Sequence, residues 1–126
     1  MNTILAVAAG GAVGAVARYL LAANVTQRFG TGFPYGTLIV NLLGCLILGI
    51  LTETFALKFH PPRLYQSMLA TGFIGAFTTF STFVMESVLL MERGAMLMAF
   101  LYVGLSVVLG IFAFIGGMAV IRLWAA

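Results

Sequence analysis

Residues 71–86 read TGFIGAFTTFSTFVME, and they lie inside a long apolar segment of the chain. The run contains two glycines, five hydroxyl side chains and the carboxylate of Glu86, interleaved with four phenylalanines. Unsatisfied polar groups are expensive in hydrocarbon, so a membrane segment normally avoids such a composition. We therefore expect the protein to use these polar groups, not merely to bury them.

The composition of the whole chain excludes an ordinary soluble domain. Of the 126 residues, 63% are hydrophobic and 7% are charged, whereas a soluble domain carries roughly 25% charged residues. A helix that spans a bilayer needs about 20 mostly apolar residues. Four segments of the sequence meet that requirement, namely residues 4–23, 37–57, 64–91 and 95–121. Because the connections between them are short, we expect residues 1–126 to form a single all-α domain of four transmembrane helices.

Several other functions are excluded by the same composition. The net charge is +3, but six cations spread singly along the chain do not form a nucleic-acid-binding patch. The first residues lack the basic region of a signal peptide, so a retained span is predicted there. The lone Cys45 is expected to act as a small buried hydrophobe, and no role is expected for the loop residue His60. One histidine and one cysteine supply neither a nucleophile–base pair nor a metal cluster, so an enzyme is not expected.

The distribution of lysine and arginine leaves the orientation in the membrane open. Four spans place three cations on one side and three on the other, although a bias between the sides is what normally sets topology. One interpretation is that six charges are too few to judge. The other is dual topology, in which copies insert both ways and pair as an antiparallel dimer, giving an inverted-repeat architecture from identical chains.

The middle of the third span, residues 75–79, combines a glycine with β-branched threonines. Glycine weakens a helix, and hydroxyls can satisfy the backbone groups that a break sets free. A helix broken in mid-membrane would expose carbonyls that bind cations and amides that bind anions. Alternatively, the helix is continuous and the threonines bond back to the carbonyls four residues earlier. The residues alone favour neither alternative.

Phe80 and Phe83 lie about 60° apart around a helix and can share a face. A phenyl ring has an electronegative face and an electropositive edge, so ring edges that point into a narrow pore would solvate an anion. The alternative is that these rings are simply hydrophobic side chains in lipid.

Polar side chains also form stripes on the second and fourth spans. Thr37 and Asn41 are four residues apart and share a helix face, as do Tyr102 and Ser106. Hydrogen bonding between helices is one explanation for them. A path lined by hydroxyls, an amide and ring edges offers hydrogen-bond donors, which suits an anion.

Two of these stretches carry a resemblance to a known family. The segments GTLIVNL at 36–42 and TGFIGAFTTFSTF at 71–83, followed by Glu86, closely resemble the signatures of the CrcB/Fluc family of fluoride ion channels. The resemblance extends over the whole chain, through the Arg18 region of the first span and the stripe of the fourth. It implies an antiparallel, dual-topology homodimer in the bacterial inner membrane with two pores and a third helix broken in mid-membrane.

The resemblance also implies roles for individual residues. A structural sodium ion at the dimer centre would be held by the backbone carbonyls of Gly75 and Thr78. The residues that would line the fluoride path are Thr37, Asn41, Phe80, Ser81, Thr82, Phe83, Tyr102 and Ser106. Arg18 would help to draw anions into a vestibule, and Glu86 would lie near a pore mouth. The family's polar stripe can continue one turn further with a serine, where this chain has Gly110.

The resulting hypothesis is a passive, fluoride-selective channel that exports fluoride from the cytoplasm and relieves its toxicity. A second hypothesis is a small dual-topology multidrug antiporter, but proton coupling there needs an acid in the first span, where this chain has Arg18. A third is a structural or holin-like membrane protein without a selective site. That hypothesis predicts that the polar residues of the third span tolerate apolar replacement.

Overall fold

The computed structural model describes residues 2–126, and that range consists of helices and short loops, without a β-strand. The helices are α1 (Asn2–Phe29), α2 (Tyr35–Leu57), α3 (Arg63–Gln66), a π-helix (Ser67–Ile74), α4 (Gly75–Phe77), α5 (Phe80–Glu92) and α6 (Met96–Ala125). Within residues 2–126, four segments are long and apolar enough to cross a bilayer: α1, α2, the stretch Arg63–Glu92 and α6. The four predicted spans are therefore confirmed.

Two glycines reverse the chain at the end of the molecule that carries the first and third loops. Gly30 has a φ of 83° and Gly94 a φ of 78°, which is a conformation that other residues adopt only at a steric cost. The amide of Gly30 donates to the carbonyl of Thr26 at 2.8 Å and so closes the last turn of α1. The first turn places the beginning of α2 beside the end of α1, and the second places the beginning of α6 beside the end of α5.

Close helix packing depends on glycines at two seams. The most extensive contacts join α2 to α6 and α1 to the π-helix. A Cβ atom on Gly49 would collide with the carbonyl oxygen of Phe114, and a Cβ atom on Gly14 with that of Phe73. Small residues allow helix backbones in membranes to approach each other in this way. The two seams fix α6 relative to α2 and the third span relative to α1.

The π-helix Ser67–Ile74 is a feature that the sequence pattern did not predict. Its hydrogen bonds run from i to i+5, a geometry that is rare and that frequently occurs at functional sites. It lies in the third span, directly before α4.

A small buried cluster joins α2, α5 and α6 near the third loop. It comprises Leu38, Leu90, Ala99 and Tyr102, and Tyr102 is completely buried. Many other large apolar side chains are exposed on the outside of the helices, as expected for helices surrounded by lipid. The cluster holds α5 against α2 and α6, and thereby positions the polar residues described below.

At the other end of the molecule, an ion pair joins α2 to α6. The Nε atom of Arg122 lies 2.8 Å from Oε1 of Glu53, and its Nη2 atom lies 3.5 Å from Oε2. The Glu53 residue is 7% exposed, whereas the Arg122 side chain is 60% exposed. No local sequence pattern links the two residues, because they lie at the ends of two different spans.

We expect Arg122→Ala to lower the thermal unfolding midpoint of the purified protein in detergent. The substitution leaves the carboxylate of Glu53 buried without its cation, and an uncompensated buried charge is strongly destabilising. The double variant Glu53→Gln/Arg122→Ala should recover most of the lost thermal stability, because it also removes the carboxylate charge that the single variant leaves unpaired. Arg28→Ala, which changes an exposed arginine at the end of α1, is the control. Equal midpoints for Arg122→Ala and Arg28→Ala would contradict the expectation.

Candidate functional site

The backbone of the third span leaves the helical conformation at two consecutive residues. Thr78 has φ −91° and ψ 161°, and Thr79 has φ −150° and ψ 120°. The side chain of Asn41 on α2 meets this extended pair. Its Nδ2 donates to the carbonyl of Thr79 at 3.0 Å, and its Oδ1 accepts from the amide of Thr79 at 2.8 Å. One amide side chain thus satisfies both backbone groups of a residue that no longer belongs to a helix.

Hydroxyl groups complete the hydrogen bonding around the same two residues. The Oγ1 of Thr78 donates to the carbonyl of Ile74 at 2.9 Å, and the Oγ1 of Thr79 accepts from the amide of Thr82 at 3.3 Å. Thr79 therefore caps the beginning of α5 in the usual manner of threonine. The bond of Thr78 to a carbonyl four residues earlier was the mark of a continuous helix in the sequence analysis. Here it occurs next to an extended backbone.

These bonds redirect the two amides that a regular helix would aim at the carbonyls of Gly75 and Thr78. In an α-helix the amide of residue i+4 donates to the carbonyl of residue i, so Thr79 would serve Gly75 and Thr82 would serve Thr78. Instead, the Thr79 amide donates to Asn41 and the Thr82 amide to the Thr79 hydroxyl. The side chains of Asn41 and Thr79 thus accept hydrogen bonds from the two backbone amides that would otherwise donate to the carbonyls of Gly75 and Thr78.

A cavity of about 660 Å³ lies between α1, α2 and α5, and we call it the vestibule cavity. Among the residues that line it are Arg18, Thr37, Thr79, Thr82 and Glu86. Three spans therefore contribute polar groups to one space, and both a cation and a carboxylate face it. The structure thus brings together four of the predicted site residues, Arg18, Thr37, Thr82 and Glu86.

A second space, of about 310 Å³, lies on the other side of Thr79, and we call it the ring groove. Asn41, Phe80, Phe83 and Ser106 line it, together with Thr78 and Thr79. Thr79 lines both the vestibule cavity and the ring groove. The interruption of the third span therefore stands where the two spaces meet.

The aromatic rings at the ring groove follow one another. The centroids of Phe80 and Phe83 are 5.9 Å apart with an angle of 50° between the ring planes. Phe83 and Tyr102 are 5.1 Å apart at 61°, an edge arrangement. Such tilted arrangements are the favoured ones for ring quadrupoles. Phe80 is 76% exposed in the single chain, while Phe83 is half-buried between its two neighbours.

Three of the predicted path residues have surroundings that the sequence did not predict. The hydroxyl of Tyr102 donates to Oε1 of Glu86 at 2.9 Å, so this buried tyrosine is tied to the wall of the vestibule cavity. Ser81 is exposed on α5 and lies outside both the vestibule cavity and the ring groove. The Oγ of Ser106 is buried and has no hydrogen-bond partner among residues 2–126.

Thr79 is the residue whose importance the sequence analysis underestimated. It carries both bonds to Asn41, caps α5 and lines both spaces. The signal that was available is a threonine at the start of the helical stretch 80–92, since threonine is a preferred N-cap residue. Its pairing with Asn41 had no such signal, because the two residues are 38 positions apart.

Four apolar helical segments make this a small, multi-pass membrane protein. Two spaces with polar lining residues, the vestibule cavity and the ring groove, adjoin the interruption of its third span. Comparison with known families agrees with that class. The model of the family described as CrcB-like protein, Camphor Resistance (CrcB), matches residues 5–118. The chain therefore belongs to the CrcB family.

Similar proteins match this chain over nearly their whole length. The fluoride-specific ion channel FluC of Cereibacter sphaeroides is 44% identical over 126 residues, which is 100% of this chain and 99% of that protein. The fluoride-specific ion channel FluC 1 of Nitrobacter hamburgensis is 43% identical over 119 residues, or 94% of each. The fluoride-specific ion channel FluC of Maridesulfovibrio salexigens is 44% identical over 124 residues, which is 98% of this chain and 98% of that protein. The resemblance noted in the sequence is confirmed, and a family of ion channels confirms that the chain is not an enzyme.

Proposed function

We propose that this protein is a passive, fluoride-selective channel of the bacterial plasma membrane, formed by residues 1–126 as one domain. It exports fluoride from the cytoplasm and so relieves fluoride toxicity. The similar proteins are named as fluoride-specific ion channels. The observation that carries the proposal is the interrupted third span, with the polar vestibule cavity on one side of Thr79 and the ring groove on the other.

The chemistry of the two spaces suits a small, strongly hydrated anion. Fluoride leaves water only if other donors replace its hydration shell. The guanidinium of Arg18 and the hydroxyls of Thr37 and Thr82 offer donors in the vestibule cavity. In the ring groove, the amide of Asn41 retains a second N–H besides the one that bonds Thr79, and the edges of Phe80 and Phe83 carry partial positive charge.

We further propose that two chains assemble as an antiparallel, dual-topology homodimer with two pores. The ring of Phe80 is 76% exposed, although it lines the groove through which the anion is proposed to pass. A second chain packed over this side would enclose the groove and shield the ring from lipid. The even distribution of lysine and arginine agrees with insertion in both orientations.

A central sodium ion fits the carbonyls of Gly75 and Thr78. Hard cations prefer oxygen ligands, and the amides that would serve these carbonyls in a regular helix donate to side chains instead. Gly75 is exposed in the single chain, so a partner chain can approach this residue. A bound cation would supply positive potential in a medium of low dielectric constant, where charges act strongly. Asn41 and Thr79 would hold the two carbonyls in place for it.

The proposal is tested by ion efflux from liposomes that contain the purified protein. Fluoride loaded inside should leave rapidly when an ionophore balances the charge, whereas chloride under the same conditions should be retained. Equal rates for the two anions would overturn the selectivity, and the absence of fluoride efflux would overturn the channel. As a further arm, a pH gradient should not drive export of organic cations, because α1 contains no acidic residue.

A further inference from the structure

We propose that the thiol of Cys45 is a fluoride-contacting donor that continues the path beyond Ser106. The proposal rests on the channel function above and extends it to a residue that the sequence analysis regarded as a buried hydrophobe. It assigns to Cys45 the place in the path that lies opposite Gly110, where α6 offers no side chain.

The first observation is that the ring groove does not end at Ser106. A cleft of about 410 Å³ adjoins it, and Cys45, Ser106 and Val107 line both spaces. Gly110 lies in the cleft, one helical turn beyond Ser106. Apart from Cys45 and Ser106, the residues that line the cleft have apolar side chains or none. The thiol of Cys45 and the hydroxyl of Ser106 are therefore the polar side-chain groups that an ion in this cleft would meet.

The second observation is the buried hydroxyl of Ser106. Its Oγ has no hydrogen-bond partner within residues 2–126, although buried polar groups are almost always bonded. Ser106 and Cys45 line the same two spaces. A hydroxyl without a partner retains its donor for a ligand with acceptor character, such as fluoride, that enters these spaces beside the thiol.

The third observation fixes the position of the sulfur. The Sγ of Cys45 lies 3.6 Å from the point where a Cβ atom on Gly110 would stand. The thiol from α2 thus borders the space that a side chain at position 110 of α6 would fill. A thiol is a weak hydrogen-bond donor, and it provides that donor without a charge that would trap the ion.

The test compares Cys45→Ala with Cys45→Ser in the fluoride efflux assay. Alanine removes the donor, and we expect efflux to slow by about two- to tenfold, the range that loss of one hydrogen bond produces. Serine retains a donor and should match or exceed the unmodified protein. If the residue mattered only for packing, both small replacements would change the rate alike, and that result would overturn the proposal.

A second-site variant tests the position independently. Gly110→Ser places a hydroxyl beside the sulfur with an ordinary van der Waals contact, so it should restore Cys45→Ala to within about twofold of the normal rate. Gly104→Ser is the matched control, because a side chain there meets open space on the same helix. It should leave the rate of Cys45→Ala low.

The outcomes separate this proposal from the proposed function. If Cys45→Ala and the unmodified protein show equal fluoride efflux, the role of Cys45 is overturned and the channel proposal stands. Absence of efflux through the unmodified protein overturns the channel itself. Size-exclusion chromatography of each variant excludes misfolding as the cause of a lower rate.

Discussion

Replacement of Asn41 by leucine is expected to reduce fluoride efflux at least about tenfold and to lower the thermal stability of the protein. The Asn41 side chain donates to the Thr79 carbonyl at 3.0 Å and accepts from the Thr79 amide at 2.8 Å. Leucine has a similar volume but offers neither bond. Two backbone groups at the interruption of the third span would lose their partners, at about 1–3 kcal/mol each. A cost of 1.4 kcal/mol already corresponds to a factor of ten.

The control for this variant is Asn24→Leu. Asn24 is exposed on α1, and its amide donates to the carbonyl of Leu20 within the same helix at 3.4 Å. The same chemical change there should leave both efflux and the unfolding midpoint close to normal. The expectation fails if Asn41→Leu folds with an unchanged midpoint and conducts at the normal rate.

Replacement of Phe83 by isoleucine is expected to suppress fluoride efflux while the protein still folds. The Phe83 ring lies between Phe80, at 5.9 Å, and Tyr102, at 5.1 Å. Isoleucine preserves hydrophobicity but has no electropositive edge to direct at an anion. Phe80→Ile should have the same effect, because Phe80 lines the ring groove beside Phe83. We expect a decrease of at least about tenfold, equivalent to about 1.4 kcal/mol in the barrier to ion movement.

The matched control for Phe80→Ile is Phe100→Ile. Phe100 is 63% exposed on α6, comparable to the 76% of Phe80, but it lies outside the ring groove. If exposed phenylalanines served only as contacts to lipid, the two substitutions would have equal effects. Normal efflux by Phe83→Ile in correctly folded protein would mean that ring edges do not solvate the ion.

The Asn41 and Phe83 variants test two different roles, support of the backbone and direct contact with the ion. Asn41 acts through the backbone of Thr79, so its loss should affect stability and conduction together. Phe83 lines the groove, and isoleucine retains an apolar contact with the buried cluster, so conduction should fall more than the unfolding midpoint. This contrast distinguishes a path-lining side chain that also braces the backbone from one that does not.

Much of the architecture follows directly from the sequence. A bilayer admits only backbones whose polar groups are satisfied within the segment, so four long apolar stretches had to be helices. The polar run at residues 71–86 is conspicuous for the same reason, since each hydroxyl in such a segment needs a partner. Helical periodicity also predicted that Thr37 and Asn41 share a face; Thr37 lines the vestibule cavity and Asn41 lines the ring groove.

Other features depend on groups that are far apart in the chain. The pairing of Glu53 with Arg122 joins residues 69 positions apart, and no local pattern links them. The π-helix had no signature in the sequence, and it packs closely on α1, where a Cβ atom on Gly72 would lie 2.7 Å from the carbonyl oxygen of Val7. The tie between Tyr102 and Glu86 likewise results from the packing of α5 against α6.

Residues 71–86 show which features follow from the sequence and which depend on the tertiary structure. The sequence by itself determined that a glycine, threonines and phenylalanines of the third span occur together in a membrane segment, because composition and spacing are local properties. Only the tertiary structure decided that the backbone departs from a helix at Thr78 and Thr79. The reason is that an extended residue is tolerated in apolar surroundings only when another element satisfies its amide and carbonyl, and here α2 supplies both partners through Asn41.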